Sequence, residues 1–282
     1  GTEAQRSQYL PGLVSGKLVG VHAVTEPESG SDAFSMKTRA ERTADGYRLK
    51  GTKVFISNGP IADLVVVFAT VNPRRKMAGV SAFLVERGTP GLHMGQEFDK
   101  MGLRTSRMGE LVFEDCLVPE HQRLGREGAG AAIFNHSMAW ERSCLLGTYI
   151  GMMQRQLEEC VKYARTRKQF GRPIGSFQLV ASKIADMKVR LETSRLLLYH
   201  NAWSRQAGQH DMTEAAIAKL YISECLVRSS LDALQLHGGY GYMREAGVER
   251  ELRDALAAPI YSGTSEIQRL IIASGLGLGP FD

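Results

Sequence analysis

Ser137-Met138-Ala139-Trp140-Glu141-Arg142 sets one carboxylate beside a tryptophan and an arginine inside a helical pattern. Phe134, Met138, Leu145, Tyr149 and Met152 recur at helical spacing, which predicts a buried helix face running through the stretch. Glu141 falls between Met138 and Leu145 on that face. A carboxylate held there is either matched by a partner, such as a neighbouring arginine, or kept for chemistry, because burying it unpaired is costly. The stretch also divides the chain. Short apolar runs separated by turns precede it, and long amphipathic patterns follow it.

Upstream, residues 18–23, 64–69, 81–85 and 111–114 read as strands. Asp45-Gly46 between Thr38-Arg39-Ala40 and Tyr47-Arg48-Leu49 is a hairpin signal. No long helical pattern intervenes, so an antiparallel sheet or barrel is expected rather than βαβ units. Residues 1–16 read as the end of a helix with nothing before it, and residues 115–125 as a linker.

Downstream, Gly128-Ala129-Gly130 opens the helix of Glu141, which is predicted to continue towards Arg165. Gly171-Arg172-Pro173-Ile174-Gly175 breaks the pattern, and Ser176 then suits an N-cap for a helix striped by Val180, Ile184, Met187, Leu191 and Leu198. Asp211-Met212-Thr213-Glu214 resembles a capping box before a third helix, which stops at Gly238-Gly239. Shorter helices are predicted over 248–258 and 266–273. The fold class is therefore α+β: a β domain over 17–125, then an up-down helical bundle over 126–282.

Composition narrows the function. Of 282 residues, 43% are hydrophobic and 23% charged, the balance of an ordinary globular protein. The net charge of +5 is spread along the chain, which argues against a nucleic-acid arm. Its densest cluster, Arg165-Thr166-Arg167-Lys168, suits a phosphate-rich cofactor. Cys116, Cys144, Cys160 and Cys225 show neither CxxC nor metal spacing, so reduced thiols, a cytoplasmic location and no metal site are expected. No apolar run reaches membrane-spanning length and no signal peptide opens the chain.

Several loops offer ligand-binding groups. Thr25-Glu26-Pro27-Glu28-Ser29-Gly30-Ser31-Asp32 can point N–H and hydroxyl groups at an anion or a polar ring. Phe55-Ile56-Ser57-Asn58-Gly59 ends a strand with an aromatic and a hydroxyl that can flank a planar cofactor. Arg167 with Gln169-Phe170-Gly171 gathers a guanidinium, an amide and an aromatic face. Gln235-Leu236-His237-Gly238-Gly239 lets backbone approach a ligand, and Gly263-Thr264-Ser265 opens a helix whose free N–H groups suit an anion. Read singly, each is equally a cap or a turn. None is a GxGxxG fingerprint after a strand, so a Rossmann site is not supported.

Taken together, Thr25-Glu26-Pro27, Gly30-Ser31-Asp32, Asn58-Gly59, Arg167-Lys168-Gln169-Phe170-Gly171, Gly238-Gly239-Tyr240-Gly241 and Gly263-Thr264-Ser265-Glu266 resemble the acyl-CoA dehydrogenase superfamily, in the same order from end to end. The resemblance implies an N-terminal helical domain, a middle β domain and a C-terminal helical bundle, usually as a homotetramer (a dimer of dimers) with FAD. It implies that the first domain is not present here beyond residues 1–16. His22, Val24, Thr25 and Ser31 are implied to line the flavin, with Phe55 and Ser57 at its ring. Arg167, Gln169, Phe170 and Gln178 are implied to reach the FAD of a neighbouring subunit, as are Gln235, Gly238 and Gly239. Thr264 and Glu266 complete the site in their own subunit. Ser31, Arg142, Tyr261, Ser262 and Gly263 are implied to contact the substrate.

The catalytic base departs from the family's usual place. Most members carry it in Tyr-Glu-Gly-Thr, where this chain has Tyr261-Ser262-Gly263-Thr264. Ser262 cannot serve as a carboxylate, and its hydroxyl is not expected to matter to the chemistry. A minority, isovaleryl-CoA dehydrogenase among them, carry the base in a Glu-Arg pair, which Glu141-Arg142 matches. Met138 and Trp140 are expected to keep water from it. The same helix, with Gly151-Met152-Met153-Gln154-Arg155-Gln156-Leu157-Glu158, is similar to the branch that oxidises prolyl groups on carrier proteins. The resemblance thus implies FAD-dependent α,β-dehydrogenation of a thioester on CoA or a carrier protein, with an electron-transfer flavoprotein or similar acceptor. A flavin oxidase or monooxygenase on the same fold, and a non-catalytic binding protein, are the alternatives.

Overall fold

The computed structural model describes residues 1–208 and 212–279. The chain forms two compact units, Gly1–Lys100 with Arg104–His136, and Met101–Leu103 with Ser137–Asp282.

The first unit opens with helix α1 (Glu3–Val14), whose Thr2 and Gln5 cap each other reciprocally. Its Tyr9 packs against Leu64 and Leu84 of the sheet. The strands are β1 (Gly20–Ala23), β2 (Arg39–Arg42), β3 (Gly46–Ser57), β4 (Leu64–Thr70), β5 (Val80–Glu86), β6 (Leu92–Glu97), β7 (Met108–Pro119) and β8 (Arg123–Leu124). They join in the order β6-β7-β3-β2-β4-β5-β8, with β1 beside β4. Tyr47 and Leu49 of β3 are buried while Arg48 and Lys50 are exposed, the alternation of a strand with one face on the core. β4 and β5 are largely apolar and buried on nearly every residue.

The expected hairpin forms, with Arg42 opposite Tyr47. The sheet is mixed and open, not a closed barrel. β1 and β2 both run parallel to β4. The segment from residue 24 to 63 is long enough to return the chain in the same direction, which no tight turn allows. That return takes residues 24–38 out of the sheet as a loop.

In the second unit, α2 (Gly130–Cys144) is followed by α3 (Leu146–Thr166), the two-residue pair β9 (Lys168–Gln169) and β10 (Arg172–Pro173), α4 (Gln178–Gln206), α5 (Met212–His237), α6 (Gly239–Tyr242), α7 (Val248–Ala255) and α8 (Ser265–Gly275). Helix α2 begins within the first unit. Leu146, Met153, Met187, Leu191, Ile222 and Leu226 centre the core of the bundle. The predicted single helix from Gly130 towards Arg165 is interrupted at Leu145. Its carbonyl accepts from Thr148 N at 3.1 Å and Thr148 Oγ1 at 2.7 Å. Ser143 Oγ likewise donates to Ala139 O at 2.8 Å. Hydroxyls that bond back onto the preceding turn in this way bend helices.

Ser176 is not a cap. Its hydroxyl donates to Pro173 O at 2.7 Å, within a 3₁₀ turn that delays the start of α4 to Gln178. The capping box read at 211–214 has its Asp211 outside the described residues. Among the described residues no helix is long and apolar enough to cross a membrane, and no group of His, Cys, Asp or Glu could hold a metal. The four cysteines are free thiols.

Candidate active site

In the first unit the residues expected at the flavin come from two adjoining segments. Val54 N donates to Thr25 O at 2.9 Å, tying the loop after β1 to β3. Immediately beyond, β3 carries one extra residue against β7 between Lys53 and Ile56. Bulges of this kind re-aim side chains. Phe55 accordingly has a φ of 57° and is 59% exposed, its ring 5.4 Å from that of Phe98. Ser57 and Ser31 are exposed, and Thr25 and Val24 are half-buried.

An ion pair beneath the loop was not read from the sequence. Lys53 Nζ lies 2.7 Å from Glu26 Oε1 and donates to Val24 O at 2.9 Å. Glu26 also accepts from Lys37 N at 2.5 Å and Thr38 N at 3.0 Å. One carboxylate thus ties both ends of the loop to the strand beneath it.

His22 packs edge-on to Phe68, with ring centroids 4.8 Å apart, and stacks over Phe134 at 6.2 Å. Burial lowers its pKa from 6.5 to about 4. The unfolded chain therefore binds more protons than the folded one between these values, so stability falls as the pH drops through this window. Acid melts should show the first unit losing up to about 3 kcal/mol from His22 between neutral pH and about pH 4. His22→Gln should flatten that dependence, and an unchanged slope in the variant would count against the assignment.

In the second unit, Arg167, Gln169, Gly238 and Gly239 line one cavity of about 530 Å³. Tyr163, Leu236, His237 and Tyr240 also line it, with Ile174 and Met243. Sequence reasoning missed Tyr163, although it lies one helical turn before Arg167. It stacks on His237 with centroids 4.3 Å apart, and the Arg167 guanidinium lies 5.5 Å from the Tyr240 ring centroid. Gly238 adopts φ 60° and ψ −137°, a conformation closed to other residues. No atom lies within 4 Å of where a Cβ on Gly238 or Gly239 would stand, so bare backbone faces open space. Phe170 is 92% exposed and its ring faces Phe177. Gln178 and Gln235 are exposed and do not line the cavity.

Glu141 meets the turn before α8. Ser262 Oγ donates to Glu141 Oε1 in a short hydrogen bond. Ser262 has a φ of 56°, rare for a residue with a side chain, and Gly263 has 90°. Both carbonyls turn inward onto buried donors. Arg142 Nε reaches Ser262 O at 2.9 Å, Lys219 Nζ reaches Gly263 O at 2.7 Å, and Gln268 Nε2 reaches Gly263 O at 2.9 Å. A Cβ on Gly263 would stand 2.6 Å from Gln268 Nε2, so only glycine fits there.

Arg142, implied to contact the substrate, is buried with its Nε on this turn. Burial first, then the charge of Arg142, brings Lys219 down to about 8. Thr264 caps α8, accepting from Ile267 N at 3.3 Å, and Glu266 is exposed in its first turn.

Tyr149 and Tyr261 share a short hydrogen bond between their hydroxyls. Burial raises the pKa of both, and the charge of Glu141 adds to the rise in each. Met138 is buried as expected. Trp140 is not a shield for Glu141. It is 49% exposed and turns to Arg205, whose guanidinium lies 4.2 Å from the ring centroid.

The acyl-CoA dehydrogenase middle-domain model matches residues 22–116 and the C-terminal-domain model residues 128–277. The L-prolyl-[peptidyl-carrier protein] dehydrogenase of Pseudomonas fluorescens is 47% identical over 278 residues, which is 98% of this chain and 73% of that protein. The mitochondrial isovaleryl-CoA dehydrogenase of Oryza sativa is 43% identical over 98% of this chain and 68% of its own length. Among solved structures, the prolyl acyl carrier protein oxidase AnaB superposes with a TM-score of 0.97 at 50% identity, covering 99% of this chain and 74% of that one. PigA with FAD and proline superposes with a TM-score of 0.97 at 45% identity, covering 99% and 73%. The fold, the ordered motifs and these matches lead to one conclusion: the chain belongs to the acyl-CoA dehydrogenase family.

Proposed function

We propose that this chain oxidises an acyl thioester between its α and β carbons, with Glu141 taking the α-proton, and that the acyl group is a prolyl group on a carrier protein. The observation that carries the assignment of the base is the contact between Glu141 and Ser262. Position 262 is where the resemblance sets the family's usual glutamate. A carboxylate from α2 therefore reaches the same place from a different element.

The residues suit FAD: a bulge that exposes Phe55, bare glycine backbone facing a cavity, and an arginine on the same wall. Bound FAD supplies the acceptor for the β-hydride. The thioester carbonyl acidifies the α C–H bond enough for a carboxylate to remove its proton. Negative charge then builds on the carbonyl oxygen and calls for a donor, for which the Ser262 N–H is our candidate. Arg142, Lys219 and Gln268, by holding the two carbonyls of the turn inward, fix the direction of that N–H.

The prolyl assignment rests on likeness to the two prolyl-carrier dehydrogenases, at 47% and 46% identity. Purified holoprotein should lose its visible flavin absorbance with a prolyl-carrier thioester faster than with butyryl-CoA or isovaleryl-CoA. No bleaching by any of the three would overturn the proposal. A second reading, an oxidase, is favoured by the likeness to AnaB. Reoxidation by air faster than by an electron-transfer flavoprotein would select it.

The cavity at Arg167 is proposed to receive the FAD of a neighbouring subunit in a dimer of dimers. Arg167→Ala should weaken FAD retention by roughly ten- to a hundredfold, the loss of one charge-assisted hydrogen bond, and loosen the oligomer with it. Fluorescence of released FAD with light scattering checks both. Full FAD retention in the variant would contradict it.

A further inference from the structure

We propose that Ser262 is the positioning residue of the base: its hydroxyl fixes and stabilises the charged carboxylate of Glu141 in the orientation that takes the α-proton. The inference rests on the reading of Glu141 as that base. The side-chain hydroxyl of Ser262 was not expected to matter to the chemistry; the hydrogen bond to Glu141 gives it a part.

Three features of the turn support the role. Consecutive residues of α2 grip the same serine from two sides, Glu141 at its hydroxyl and Arg142 at its carbonyl oxygen, 2.9 Å from Nε. Gln268 Nε2 adds a second donor to that carbonyl at 3.3 Å. Ser262 itself stays at a φ of 56° while the next residue is a glycine at 90°. An L-residue is held there only when its surroundings determine it, and such outliers gather at functional sites.

The need for a tether follows from where the base sits. A glutamate on a helix has three side-chain torsions to fix, and a carboxylate within hydrogen-bond reach of the wrong atom is a poor base. Ser262 Oγ donates to it, while Arg142 spends Nε on the turn and the Tyr149 and Tyr261 hydroxyls are bonded to each other. The charged and titratable groups around the pair are Arg142 on α2, Tyr149 on α3, Tyr261 in the turn, and Lys219 on α5 at the Gly263 carbonyl. None is altered by removing the serine hydroxyl.

The experiment compares the holoproteins of wild type, Ser262→Ala, Ser262→Gly and Glu141→Gln. Glycine adopts the same left-handed backbone without strain, so it separates loss of the hydroxyl from loss of the turn. With saturating thioester, both Ser262 variants should reduce the flavin roughly ten- to a hundredfold more slowly. Thioester affinity, FAD affinity and melting temperature should hold, so the loss falls on the limiting rate alone. Independently of turnover, the infrared carboxylate stretching band that disappears in Glu141→Gln should change frequency in both Ser262 variants, as loss of its hydrogen bond requires. An unmoved band and an unchanged limiting rate in the Ser262 variants, with Glu141→Gln inactive, would overturn the role of Ser262 and leave the base standing. Full flavin reduction by Glu141→Gln would instead remove the base itself.

Discussion

Lys53→Met should destabilise the first unit by about 3–5 kcal/mol, the usual cost of leaving a buried charge without its partner. Lys53 is fully buried and Glu26 nearly so, and their atoms lie 2.7 Å apart. Burial works against the Glu26 charge, yet Lys53 and the N–H groups of Thr38 and Lys37 together hold its pKa below the ordinary carboxylate value. Glu26 contributes stability above the ordinary carboxylate range, and that contribution is lost as the pH falls through its lower folded value. Urea denaturation of Lys53→Met should show the lower midpoint at neutral pH and lose this acid dependence. Adding Glu26→Gln should recover part of the loss, because a neutral amide still accepts from Thr38 N and needs no cation. An unfolding free energy within about 0.5 kcal/mol of wild type, the range of ordinary surface changes, would show that the pair does not hold the loop.

The same pair marks where sequence reading stops. The hairpin at Asp45-Gly46 and the strands through residues 64–69 and 81–85 were legible because turn chemistry and apolar runs act locally. The parallel placement of β1 against β4 was not, since pairing across a long crossover leaves no local pattern. Lys53, Arg142 and Lys219 are all buried, which nothing in their local sequence signals. Their partners, Glu26 and the carbonyls of Ser262 and Gly263, come from distant segments, so spacing carries no trace of them.

The break at Leu145 was hidden for another reason. Leu145 keeps helical torsions, and the interruption comes from hydroxyls that bond back onto the helix. In the candidate site, Glu141 stood out by its place on an apolar face, and Gly238-Gly239 by the glycines themselves. Ser262 stood out only for the carboxylate it lacks, because the hydroxyl of a serine beside a glycine before a helix is ordinary. Only its positive φ and its acceptor set it apart.

The account turns on Glu141. A well-placed base contributes roughly a hundred- to ten-thousandfold, and Glu141→Gln keeps the size of the side chain and its hydrogen bonding to Ser262 while removing its basicity. FAD content, oligomeric state and thioester binding should therefore survive the substitution. Stopped-flow reduction of the bound flavin by a saturating prolyl-carrier thioester, wild type against Glu141→Gln, is the direct measurement. Absorbance should stay unbleached in the variant on the timescale of wild-type reduction. Bleaching at the wild-type rate would contradict it.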